Sequence, residues 1–213
     1  SQAPPTALSR SLVFLMAATT GLVVASNYYA QPLLHTIADR LDLSYARAGI
    51  IVTTAQASYA VGLILLVPLG DLLERRRLIV TMMLFATGGL LVSATATSLP
   101  MLLAGTAITG AFSVVAQALV PFAATLSPVA NRGKVVGTVM SGLLLGILLA
   151  RTVAGALSTL GDWHTVYWVA AAMMLVNTLA LWRLLPCYRQ DTRLHYGQLI
   201  GSIAGLFVRY PLF

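Results

Sequence analysis

The chain has 213 residues, 58% of them hydrophobic and only 9% charged, with a formal net charge of +7 and a mean hydropathy of +0.86. Soluble domains carry charge on roughly a quarter of their residues, so this composition excludes a soluble globular fold and requires a polytopic membrane protein. No apolar stretch alternates with polar residues as a membrane β-barrel strand would, so the fold class is an all-α bundle.

Six apolar runs approach the ~20 residues that a transmembrane helix needs. In chain order they are 11–29, 49–69, 78–97, 101–125, 135–160 and 165–185. The first follows Arg10, has no small-residue cleavage site, and reads as its own insertion signal. Gln31-Pro32 opens a loop to Arg47, Gly70 to Arg77 forms a charged turn, and Ser98-Leu99-Pro100, Ser127 to Lys134 and Gly161-Asp162 make the remaining breaks. After Pro186, Leu199, Ile200, Ile203, Leu206 and Phe207 share one helical face, which predicts a short amphipathic helix over 196–208 on the inner membrane surface. The expected organisation is a six-helix bundle over 1–186 and a cytoplasmic linker over 187–213 that stops before a second bundle.

Basic residues collect on the cytoplasmic side of membrane proteins. Arg10, Arg75, Arg76, Arg77, Arg132, Lys134, Arg183, Arg189, Arg193 and Arg209 fall on one side of the six-span arrangement, and Arg40 and Arg47 on the other. Both termini are therefore expected in the cytoplasm, and the positive charge answers to topology and to anionic membrane lipid, with no nucleic acid implied. Tyr28, Tyr29, Trp163, Tyr167 and Trp182 fall near span ends, where lipid anchoring is the simplest role for most of them. Cys187 is the single cysteine, so no intrachain disulfide forms, and neither a cofactor nor a metal site is expected.

The spans divide as three plus three. Leu69-Gly70-Asp71 closes the second and Leu160-Gly161-Asp162 the fifth, at corresponding places in the two triplets, which suggests the inverted repeats from which many secondary transporters are built. The turn Gly70-Asp71-Leu72-Leu73-Glu74-Arg75-Arg76-Arg77 resembles the signature loop of the major facilitator superfamily through Gly70, Leu72, Glu74 and Arg75. Arg77 stands where that loop has its second glycine, and Leu78 and Ile79 replace its following basic residues. Asn27-Tyr28-Tyr29-Ala30-Gln31-Pro32, Gln117-Ala118-Leu119-Val120-Pro121 and the run through Gly142, Gly146, Arg151 and Gly155 extend the resemblance to bacterial drug- and metabolite-efflux members. The fifth span lacks that group's Gly-Pro pair, since Ile147 follows Gly146, and Thr106 stands where its fourth span often has Arg.

The resemblance implies the N-terminal half of a twelve-helix transporter in the bacterial inner membrane, not an enzyme. It would export small organic solutes by alternating access in exchange for protons, and act with a second six-helix half of the same protein. It also implies that Gly70, Asp71, Glu74, Arg75 and Arg77 latch the two halves together, with Arg76 alone read as a charged topological stop. The small-residue ribbon of Gly142, Gly146 and Gly155 packs helices closely and is compatible with sliding during gating.

Arg151 is the one ionisable residue deep in a span, either turned to the outer headgroups or facing a cavity. Asn27, Gln56 and Tyr59 fall at similar depth and would join it in a polar patch between the first, second and fifth spans, suited to an anionic or hydrogen-bonding substrate. Tyr28, Gln31 and Gln117 complete the candidate substrate-binding set; Gln117 faces either the central path or a neighbouring helix. No carboxylate falls within a span, so a proton-coupling group would lie in the other half or at Asp39 or Asp42. Two alternatives stand beside this reading. One is a self-assembling six-helix channel or dimeric transporter. The other is a rhomboid-type protease, disfavoured because Ser141 follows Val139-Met140 and His35, His164 and His195 lie at loops or span edges.

Overall fold

The computed structural model describes residues 9–188, apart from the side chain of Asp71. Among these residues every regular element is helical: α1 (Arg10–Ser26), α2 (Ala30–Arg40), α3 (Tyr45–Ala48), α4 (Ile50–Leu66), α5 (Arg75–Ala94), α6 (Leu99–Phe112), α7 (Val115–Leu126), α8 (Arg132–Thr159) and α9 (Trp163–Leu184). Short 3₁₀ turns occupy Val67–Asp71 and Val129–Asn131. The predicted helix over 196–208 lies outside the described residues, as do Arg189, Arg193 and Arg209.

These helices form six segments long and apolar enough to cross a bilayer: Arg10–Arg40, Tyr45–Gly70, Arg75–Ala94, Leu99–Leu126, Val129–Thr159 and Trp163–Leu184. The first differs from expectation. In place of a loop after Gln31-Pro32, α2 carries the helical path on to Arg40. Pro32 is the third residue of α2, inside the first turn, where a missing N–H breaks no intrahelical bond. The helix then closes on a left-handed residue, Asp42 (φ 52°), with the Leu43 N–H donating back to the Ala38 carbonyl at 2.9 Å. The fifth span runs unbroken over the 28 residues of α8, in keeping with its lack of a Gly-Pro pair.

In a bilayer, apolar surface gains nothing by leaving lipid, so helices associate through close backbone approach and interhelical bonds. The pair α1 and α8 shows this. A Cβ added at Gly142 would collide with the Ala17 backbone, and one at Gly146 with the Gly21 backbone, both well inside 3.0 Å. The pair α4 and α6 crosses in the same way, Gly110 against Ala55 and Gly62 against Ala111. The second span thus lies on the fourth as the fifth lies on the first, which is the relation an inverted three-helix repeat requires. Gly155 takes no part in the α1–α8 crossing, because nothing lies within 4 Å of its added Cβ. It sits nine residues, about two and a half turns of α8, beyond Gly146.

Trp163, Phe122, Met16, Leu33 and Ile37 are among the largest fully buried side chains. By contrast, only 17% and 11% of the apolar windows of the second and fifth spans are buried inside the bundle. Those two helices present most of their surface outward.

Candidate functional site

The first and fourth spans are both interrupted, and their interruptions meet. The Ser26 hydroxyl donates to the Val23 carbonyl at 2.6 Å and the Ser113 hydroxyl to the Gly110 carbonyl at 2.8 Å. Such local bonds compete with the helical ladder and bend it. The chain turns at Asn27-Tyr28-Tyr29 and again between α6 and α7, and the Asn27 amide donates to the Ser113 hydroxyl across the crossing at 2.6 Å. Beside this bond lies a chamber of about 10 Å³, lined by Ser26, Asn27, Ser93, Thr106, Thr109 and Tyr167 among others. The Asn27 Oδ1 and Ser93 Oγ atoms are buried without a hydrogen-bond partner in the structure. A chamber of that size has room for about one water molecule.

No hydrogen bond among the described residues joins Asn27, Gln56, Tyr59 and Arg151 into the expected single patch. Asn27 is buried toward the fourth span, while Gln56 is exposed on α4. Tyr59 instead pairs with Gln117, whose side-chain amide donates to the phenol oxygen at 3.1 Å and so faces a neighbouring helix. Arg151 reaches the first span through Gln31, its guanidinium donating to Oε1 at 2.7 Å. It lies eight residues before the end of α8, about 12 Å from that helix end at ~1.5 Å per residue. No carboxylate among the described residues pairs with it. An amide oxygen neutralises none of the charge, so the exposed Arg151 retains an unspent positive field.

Aromatic anchoring also needs correction. Tyr29, Trp163 and Tyr167 are buried inside the bundle, while Tyr28 is half-buried and Trp182 exposed. Trp163 opens α9 pointing inward, stacked on His164 at 3.6 Å and edge-on to Tyr167 at 5.8 Å. Of this group, Trp182 alone combines an exposed ring with a place at a span end.

A clasp closes each end of the bundle. At the basic end Glu74 caps α5, accepting from the Arg76 and Arg77 backbone N–H groups at 2.9 and 3.0 Å and from the Tyr188 N–H at 3.3 Å. Arg75 lies 5.8 Å from both the Phe122 and Tyr188 ring centres, and donates to the Gly70 carbonyl and the Thr125 hydroxyl, each at 3.4 Å. Arg76 is more than a topological stop: it donates to Cys187 Sγ at 3.3 Å and to the Trp182 carbonyl. That carbonyl is in the last turn of α9, where a cation meets both an unsatisfied acceptor and the negative end of the helix dipole. Arg77 is 90% exposed and makes only a loose 3.8 Å pair with Glu74, so it holds little. The side chain of Asp71 lies outside the described residues.

At the far end Asp162 caps α9 through the Trp163 N–H at 2.7 Å, and also meets His164 Nδ1 at 3.2 Å and Arg40 Nε at 3.9 Å. His164 Nε2 lies 2.9 Å from the Ala96 carbonyl oxygen. Partial burial pushes the Asp162 pKa up, but the Trp163 N–H, the His164 bond and the charges of Arg40 and His164 outweigh it and hold the carboxyl below its ordinary value. The turn after the second span is thus tied to the ends of the fourth and sixth. The turn after the fifth is tied to the ends of the first and third.

These features coincide with a family match: residues 14–202 fit the model of the Major Facilitator Superfamily. The chain belongs to that superfamily. Among its relatives, the "Uncharacterized transporter YgaY" of Escherichia coli O157:H7 is 62% identical over 201 residues, covering 94% of this chain and 51% of its own length. The "Probable transporter SCO4007" of Streptomyces coelicolor is 33% identical, covering 98% and 48%. A mutant of the peptide transporter POT, crystallised with sulfate, superposes with a TM-score of 0.71 at 14% identity, covering 99% of this chain and 49% of that one. That likeness concerns the fold. The chain spans about half the length of these relatives. Membership of a transporter superfamily sets aside the intramembrane-protease alternative.

Within this superfamily bundle, sequence reasoning missed Ser113 and Ser93 around Asn27, the Arg40–Asp162–His164 clasp, and the Thr19–Asn177 bond at 3.2 Å between α1 and α9. Two signals were present. The repeated Leu-Gly-Asp pointed to the second clasp, and Asn177 is an amide inside an apolar run.

Proposed function

We propose that this chain is the first half of a twelve-span secondary transporter of the bacterial inner membrane, exporting a small organic solute by alternating access in exchange for protons. Both ends of the chain lie in the cytoplasm in this reading, because the basic end of the bundle carries Arg10, Arg75, Arg76, Arg77, Arg132 and Lys134 against Arg40 and Arg47 at the far end. The outward-facing surfaces of α4 and α8 suit contact with a second six-helix half. The basic-end turn, with Gly70, Asp71, Glu74, Arg75 and Arg77, acts as the latch between halves. The Gly142–Gly146 crossing is the surface on which α1 and α8 move. Since the Glu74 carboxylate already accepts three N–H groups, a partner from the second half meets the arginines first.

The observation that carries the reading is the Arg151–Gln31 pair, a guanidinium at depth bonded to an amide and free to attract an anion. Intramembrane charge of this kind marks substrate or ion pathways. The substrate is accordingly a small organic anion, held by Arg151 and Gln31, with Asn27, Tyr28, Gln56, Tyr59 and Gln117 shaping the rest of the path. Arginine does not exchange protons near neutral pH, so coupling falls to Asp39, Asp42 or a group in the second half.

The test is efflux by the whole protein in inverted membrane vesicles under an imposed proton gradient, with a panel of anionic and neutral solutes. Arg151→Ala should abolish transport of anions and spare neutral solutes, while Arg151→Lys retains part of it. Unchanged transport of every solute would overturn the assignment of Arg151.

A further inference from the structure

Away from the Arg151 pair, two cavities adjoin along the line where α1 meets α8. The first, about 660 Å³, opens at the basic end and is lined by Arg10, Asn131 and Lys134. The second, about 440 Å³, is an almost wholly apolar groove with Ala18 and Gly21 on α1, Leu145, Leu149 and Val153 on α8, and Met173 on α9. Phe14 and Thr138 belong to both, so the cationic mouth leads directly into the groove. From Thr138 to Val153 the groove follows fifteen residues of α8, about 22 Å at ~1.5 Å per residue. One leaflet is about half of the ~30 Å hydrocarbon core, so the groove is long enough for an acyl chain.

We infer that this is a seat for an anionic phospholipid, with its phosphate between Arg10 and Lys134 and one acyl chain in the groove. Neither cation has a hydrogen-bond or ion-pair partner among the described residues. A protein helix laid over the groove would enclose both charges uncompensated, at a cost that apolar packing does not repay. A phospholipid brings its anion at that level and its apolar chain below it. The face is also the wrong one for the substrate path: Arg151 lies two residues beyond Leu149, about 160° around α8 at ~100° per residue. Met173, the α9 residue on the groove's rim, is itself exposed, so the apolar lining opens outward toward lipid. The seat depends on membrane insertion alone and stands apart from the substrate and coupling assigned above.

The test is native mass spectrometry of the whole protein offered equimolar phosphatidylglycerol and phosphatidylethanolamine of equal chain length. Phosphatidylglycerol should be retained preferentially. Removing both charges (Arg10→Gln with Lys134→Gln) should erase that preference, by about five-fold per cation for basic residues at an anionic surface. Exchanging them (Arg10→Lys with Lys134→Arg) should keep it, as should Arg47→Gln at the far end. Ala18→Phe, which fills the groove, should weaken retention of both lipids alike. A preference that survives loss of both charges, or one that Arg47→Gln removes equally, would overturn the seat. A photo-crosslinker at position 18 that captures a protein segment instead of lipid would do the same.

Discussion

Substituting Gly146 by Ala adds one methyl group where two helix backbones touch. The new Cβ would lie 2.5 Å from the Gly21 Cα and closer still to the Gly21 carbonyl oxygen, against 3.4 Å or more for ordinary contact. Both neighbours are backbone, so no side chain can swing aside, and α1 and α8 must part by about 1 Å; a gap of that size forfeits a quarter to a half of each dispersion contact along the crossing. Overpacking a tight interior costs ~1–3 kcal/mol, and a backbone-on-backbone clash belongs at the upper end. Gly155→Ala provides the control on the same helix. Its Cβ meets nothing within 4 Å, and replacing a mid-helix Gly by Ala contributes about 1 kcal/mol of helix stability. The two variants carry the same chemical change and should move thermal stability in opposite directions. Measured by the temperature dependence of monodisperse protein in detergent, at ~2–4 °C per kcal/mol for a chain of this size, Gly146→Ala should fall by several degrees and Gly155→Ala should hold or rise. Equal shifts in the same direction would refute the crossing as the origin of α1–α8 cohesion.

The far-end clasp gives a pH prediction. Because the Asp162 carboxyl is held below its ordinary value, its stabilising contribution is fully present above the ordinary carboxylate range and is lost as pH falls through the lowered pKa. Asp162→Asn should therefore lower the melting temperature at neutral pH, and the gap to the parent should close as the pH drops below about 4; a gap independent of pH would show that the charge is not what matters. At Asp42 the left-handed backbone imposes a strain that Gly does not feel, so Asp42→Gly should leave stability unchanged or raise it by up to about 1 kcal/mol, whereas Asp42→Val should lower it. A loss with Gly as large as with Val would mean that the aspartate side chain, and not the backbone angle, secures the end of α2.

Composition alone decided the solvent, and with it the fold class: a chain this apolar and this poor in charge satisfies its backbone inside lipid only by forming helices. The lopsided placement of arginines, the Leu-Gly-Asp repeat and the turn ending in Glu74-Arg75 were legible as sequence, because each depends on residue identity at a span end, where water, lipid headgroups and helix dipoles impose local rules. Gln117 was legible only as an amide with two possible faces. The extension of the first span through Pro32 was misread, since a proline in the first turn of a helix looks like any other helix stop until the helix start is known.

Lateral packing was a different matter. Helices that are apolar all round carry no stripe to say which side meets protein and which meets lipid, since both environments are hydrocarbon. Only the tertiary structure could turn Asn27 toward Ser113, join Arg151 to Gln31, pair Gln117 with Tyr59, and place Gly146 but not Gly155 against a neighbour. The sequence determined that the described residues sit in the membrane as six apolar helical spans. Which polar groups meet there was left to the helix crossings, because a bond between residues 120 positions apart depends on the rotation of two helices about their axes, and in a uniformly apolar solvent close packing alone sets that rotation.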